Sequence, residues 1–264
     1  MDRWSENYWI IIDLWSKCWL VYAVVGIFKR NVLGPECCNP EVHPPLFYLM
    51  WATINFSRIC SVPLWDQHFI LVAVLFKWIL PVYSFSMLYI SYSNLHQHKA
   101  WLAINNPSVI HLTRYLTQNG LAMFAWWSLL HAVVDLGVVL KYYTAMTDPL
   151  ISTVVLSIIF ICVITWFSLQ SVFCAKYMRH TFTVHAVLIL GLGSMFTSSY
   201  RVQNFSVNTA ICGIVMILVT IMSFIHLIQA CVEKTHTPLA VEPNGNLGNC
   251  VTVCDLEGNI KPKQ

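Results

Sequence analysis

Seven stretches of this chain are each long and apolar enough to cross a lipid bilayer, and no other feature restricts the possible fold as tightly. A span needs about 20 mostly apolar residues. The seven are Tyr8–Phe28, Leu46–Leu64, His68–Ser93, Gly120–Leu140, Leu150–Gln170, Phe182–Ser199 and Val207–Cys231. Hydrocarbon offers a backbone no hydrogen bonds, so each stretch must satisfy itself as a helix, and strand-like alternation is not evident. The expected fold is all-α: a polytopic membrane protein with seven transmembrane helices over residues 1–232. A flexible tail, 233–264, rich in Asn, Gly, Pro and charge, is expected to follow. The first span follows Asp2 and Glu6 without a small-residue cleavage site, so it is read as a retained anchor.

Composition agrees. The 264 residues are 57% hydrophobic and only 10% charged, against about 25% charged in a soluble domain. Most soluble-enzyme readings are thereby excluded. Nucleic acid is excluded as a partner too, because the basic residues never cluster beyond pairs such as Lys29 and Arg30. The partner the composition demands is the bilayer.

Lys and Arg in short loops set the orientation. One face carries Arg3, Lys141 and Arg201, and the other Lys29, Arg30, Lys99, Arg114, Lys176, Arg179 and Lys234. The expected topology has the N-terminus outside and the C-terminus cytosolic. Cys37, Cys38, Cys174, Cys231, Cys250 and Cys254 fall on the same, reducing face. Cys231, Cys37 and Cys38 are juxtamembrane and are candidates for lipidation or plain free thiols. Asn204-Phe-Ser206 is a glycosylation sequon on the opposite face, too close to the membrane to expect its use.

Five charges lie inside spans: Asp13, Lys17, Arg58, Lys77 and Asp135. Each costs about 2.5–3.5 kcal/mol at mid-membrane on insertion scales. At about 1.5 Å of rise per residue, Asp13 and Asp135 lie about 8 Å below the outer edge, Arg58 about 9 Å, and Lys17 and Lys77 about 13 Å. All five therefore form one polar layer in the outer half. Asp13 stands four residues before Lys17, and His131 four before Asp135, so each pair shares a helix face. Two readings follow. In the first, Asp13 satisfies Lys17, Asp135 holds Arg58, and Lys77 snorkels in a closed network. In the second, the layer lines a wet cavity whose excess of positive charge favours an anion.

Eleven tryptophans are the other anomaly, ten of them before residue 130. Belts at span ends account for Trp65 and Trp101, whereas Trp15, Trp19, Trp51, Trp126 and Trp127 lie within spans. They are either bulky core residues or the lining for a flat apolar ligand. His185 and His226 lie near the cytosolic ends of different spans, an arrangement more often packing than metal binding. No metal or cofactor site is expected.

Trp4-x4-Trp9 leading into Leu14-Trp15-Ser-Lys-Cys-Trp19, Ile54-Asn55 through Pro63-Leu64-Trp65-Asp66, and Gln118-Asn119-Gly120 through Trp126-Trp127 with Asp135 eight residues on, together resemble a family. They are similar in order and spacing to the second, third and fifth helices of TspO-like proteins, the tryptophan-rich sensory or translocator family, closest to an uncharacterised animal branch. The likeness covers residues 4–140 and lacks a counterpart of the family's first helix; residues 150–231 supply three additional helices. Arg58 and Asp135 stand where the family has neutral polar groups. The resemblance implies a pocket for porphyrin-, sterol- or lipid-like small molecules, bound or transported without covalent chemistry. Its candidate lining is Trp15, Trp51, Asn55, Arg58, Trp126, Trp127, His131 and Asp135.

Two alternatives stand beside it. A seven-span receptor has the right helix count, but the chain lacks Asp/Glu-Arg-Tyr after the third span and Asn-Pro-x2-Tyr in the seventh, and the seventh has no lysine for a retinal Schiff base. A membrane enzyme would use His131 with Asp135, though no nucleophile motif accompanies them.

Overall fold

A computed structural model describes residues 3–31, 34–35, 40–144, 146–173, 178, 181–203 and 207–234. The tail, the sequon, Cys37 and Cys38, and the side chain of Cys231 lie outside the described residues. The chain divides into two units, 1–228 and 229–264; the first holds the bundle.

A 3-10 turn, Arg3–Asn7, leads into α1, Tyr8–Phe28. A two-residue antiparallel ladder then pairs Arg30–Asn31 with Gly34–Pro35. Helix α2, Pro45–Asp66, starts where Pro44 is extended and Pro45 supplies a preset φ at the first helical position. A tight turn through His68, whose φ of 63° is left-handed, reverses the chain into α3, Ile70–Asn105. The short α4, Pro107–Leu112, passes through a π-helical segment, Thr113–Gln118, into α5, Asn119–Thr144. Helix α6, Asp148–Ser168, ends in a second π segment, Leu169–Phe173. Helices α7, Thr183–Gln203, and α8, Val207–Lys234, complete the bundle.

Helices stand at all seven expected stretches. Among the described residues six helical segments are long and apolar enough to cross a membrane, and α2 falls outside that set although it has 22 residues. Asn55, Arg58 and the serines at 57 and 61 lower its apolarity. Helix α3 runs twelve residues beyond the expected Ser93. Its extension is amphipathic and packs Leu95 and Leu102 against Val42, Val109 and Ile110 in a small separate core.

The main core is centred on α5, in which Asn119 through Ser128 are all buried. A helix that is apolar all round belongs inside a bundle. It packs against α1, α3, α6 and α7. Gly120 admits α1 closely: a Cβ there would overlap the Trp15 indole. Gly213 and Gly193 serve the α7–α8 contact, facing Phe196 and Met216. By contrast, α1, α2 and α8 expose large side chains outward, among them Ile10, Leu14, Ile59, Ile217 and Phe224. A water-soluble monomer does not expose so continuous an apolar face. A bilayer absorbs it.

Candidate functional site

The intramembrane charges pair across helices and not along them. Arg58 of α2 donates Nη1–H to Asp13 Oδ1 of α1 at 2.6 Å and Nη2–H to Oδ2 at 3.1 Å, a bidentate fork. Lys77 of α3 donates to Asp135 Oδ2 of α5 at 2.8 Å. The expected pairings, Asp13 with Lys17 and Asp135 with Arg58, are both corrected. Lys17 is exposed, and no ion pair to it occurs among the described residues. Helix-face spacing did not decide the partners because a guanidinium offers two parallel donors, which a lysine one turn away cannot match. The excess positive charge of the layer thus resides on Lys17, away from the pairs.

Indoles cover both cations. Arg58 Cζ lies 4.5 Å from the Trp9 ring centroid, and Lys77 Nζ 4.2 Å from that of Trp65, distances at which the ring quadrupole attracts a cation. His131 lies between Trp9 and Trp127, tilted against the first and edge-on to the second, with centroids 5.5 and 5.2 Å away. Its buried Nε2 has no hydrogen-bond partner. The His131–Asp135 pairing of the enzyme reading is therefore replaced by a Lys77–Asp135 contact.

The remaining candidates of that region are packed. Trp127 is fully buried against Tyr8 and Trp9. Trp51 meets Trp19 and Phe124 edge-on. Trp15 Nε1 donates to Leu116 O in the first π segment at 2.9 Å, and Asn55 Nδ2 returns to Trp51 O of its own helix at 2.8 Å.

The space is elsewhere. A cavity of about 680 Å³ lies between α3, α5 and α6, and of the eight expected lining residues Trp126 is the one that borders it. Phe85, Trp126 and Trp166 form one wall, their rings 5.6–6.0 Å apart and mostly edge-to-face. Among the described residues no charged side chain lines it. Tyr92, Ser93 and Thr165 supply hydroxyls, and Met178 closes the end toward the second π segment.

That end is a buried polar belt. Tyr92 Oη is hydrogen-bonded to Thr181 Oγ1. Gln170 accepts Trp166 Nε1–H at 3.1 Å, donates to Thr181 O at 3.2 Å, and lies 2.8 Å from His226 Nε2. His185 and His226 stack at 5.3 Å. No group of three metal-ligating side chains occurs among the described residues. Asn119 Oδ1 accepts the backbone N–H groups of Phe182 and Thr183, while Gln118 donates to Ser91, which also bonds His43. Sequence reasoning reached the two histidines as packing residues and did not join them to the amides. Those amides sit at span ends, where polar residues are commonplace, and nothing local tells a structural glutamine from a solvated one.

The apolar helices and lipid-facing surfaces define a multi-pass α-helical membrane protein. No family model, curated protein or solved structure matches the chain.

Proposed function

We propose that this protein is a seven-span membrane protein of TspO-like descent that binds a flat, neutral, apolar small molecule between α3, α5 and α6. The carrying observation is the cavity itself: about 680 Å³, walled by Phe85, Trp126 and Trp166, with no charged side chain among the described residues that line it. Aromatic walls offer area without flexible side chains to immobilise, and the volume lies within the range of small-molecule sites. The hydroxyls of Tyr92 and Ser93 stand at one end, so the occupant is an amphiphile with one polar end and a rigid apolar body, a sterol-like molecule. A porphyrin would bring carboxylates into a space where no cation stands among the described lining residues, which favours the sterol class.

The experiment is energy transfer from tryptophan to a fluorescent sterol in reconstituted discs. Leu129→Trp, which fills the cavity, should abolish saturable transfer, and Trp166→Phe should weaken it. Saturable transfer that survives Leu129→Trp would remove the site, and preferential binding of a dicarboxylic porphyrin would overturn the ligand class.

A further inference from the structure

Helices α5, α6, α7 and α8 line a second cavity, of about 330 Å³, which shares no lining residue with the first. Its lining is sorted along the helix axes. On α5, Lys141 stands nearer the helix end than Val134 and Val138. On α7, Ser198 and Ser199 stand nearer the end than Met195; on α8, Asn208 precedes Cys212. On α6, Ser152 lies beside Ile151, a turn outside Val155 and Leu156. Four helices therefore present polar groups at the mouth and hydrocarbon at depth.

The mouth is also built. Asn208 Nδ2 donates to Pro149 O at 2.9 Å and its Oδ1 accepts from Thr153 at 3.0 Å, fixing α6 against α8. Ser199 and Thr209 are hydrogen-bonded at 2.8 Å. Lys141 is the one charged residue of the lining among the described residues. It holds Asp148 at 2.7 Å, and both side chains are more than half exposed. A pair so exposed is worth little, so another carboxylate exchanges with Asp148 at small cost.

From this arrangement we infer that the cavity binds a single-chain fatty carboxylate, its head on Lys141 and its hydrocarbon running inward past Val138 to Cys212. The volume is at the low end for small-molecule sites. It takes one acyl chain and excludes a two-chain phospholipid. The site is independent of the α3–α5–α6 cavity and of the reading given to it.

The test is equilibrium binding of radiolabelled dodecanoate to the full chain in phosphatidylcholine discs, with empty discs subtracted. Binding should saturate. Lys141→Gln should weaken it about tenfold, the usual loss for one charge-assisted hydrogen bond. Asp148→Asn should tighten it severalfold, because the competing carboxylate is gone. Dodecanol should bind the unmodified protein no better than dodecanoate binds the Lys141→Gln variant. Leu129→Trp, which blocks the other cavity, should leave dodecanoate binding unchanged. Non-saturable uptake, or insensitivity to both Lys141→Gln and Asp148→Asn, would overturn the assignment. Displacement of dodecanoate by phosphatidylserine in the disc would overturn it too, since the carboxylate would then come from a bilayer headgroup. Both key substitutions are at an exposed pair, so folding does not confound them.

Discussion

At the scale of single residues, the two ion pairs differ in how far the protein encloses them. The Asp135 side chain is 14% exposed and Lys77 30%, whereas Asp13 and Arg58 are 39% and 33% exposed. Removing one member of a desolvated pair strands its partner's charge, so Asp135→Asn should cost more stability than Asp13→Asn. The expected loss for Asp135→Asn is about 2 kcal/mol, less than for a fully buried pair. Thermal unfolding of the reconstituted protein reads it, and replacing Lys77 by Met in the same chain should restore most of the loss. His43 gives a second residue-scale outcome. It lies outside the spans, against Phe47 and Ser91, and burial pushes its imidazole down to about 4. Its unfolded value is near 6.5. The unfolded chain thus binds a proton first as pH falls, so the contribution of neutral His43 is complete above pH 6.5 and is lost progressively toward pH 4. Unfolding midpoints should fall over that window and should fall less in a His43→Phe variant.

At the scale of elements, apolar runs place helices but do not fix their register. The runs put α1 at Tyr8–Phe28, as observed. They do not reveal the π segment at Thr113–Gln118, because the same residues serve an α or a π turn. The Asn119 N–H closes the π turn on Arg114 O five residues back, and a tertiary contact accompanies it: the Leu116 carbonyl accepts the Trp15 indole of another helix. Asn119 then secures the start of α7 through the N–H groups of Phe182 and Thr183 and through Thr183 Oγ1. Asn119→Ala leaves the two N–H groups unpaired at a helix start, while Thr183 Oγ1 keeps the Asn119 carbonyl. It should cost about 1–2 kcal/mol, and hydrogen exchange should accelerate selectively in the first turn of α7. Uniform acceleration throughout the bundle would argue against a local cap.

At the scale of the whole molecule, α2 decides the topology. Six spans would leave both termini on one side, and seven would separate them. Helix α2 is the one of the seven that falls short of the apolarity of a span, yet Arg58 in its interior is neutralised by Asp13 on α1. A paired arginine costs far less in hydrocarbon than a free one. We therefore expect epitope tags at the two ends to be accessible from opposite sides of intact vesicles, with the C-terminal tag cytosolic. Tags protected on the same side would assign α2 to the membrane surface.

The seven helices and their lipid setting were fixed by chain chemistry alone, because a backbone in hydrocarbon has one local way to satisfy its own hydrogen bonds. The sequence also identified the five charges and the interior tryptophans as exceptional, since each carries a transfer cost wherever it ends up. Their partners were settled by the fold. Arg58 lies 45 residues from Asp13 and Lys77 58 from Asp135, and which of several acids a cation meets depends on how helices rotate against one another. The cavity was likewise a product of packing: Phe85, Trp126 and Trp166 come from three helices, and empty space exists only where their side chains fail to fill the gap between them.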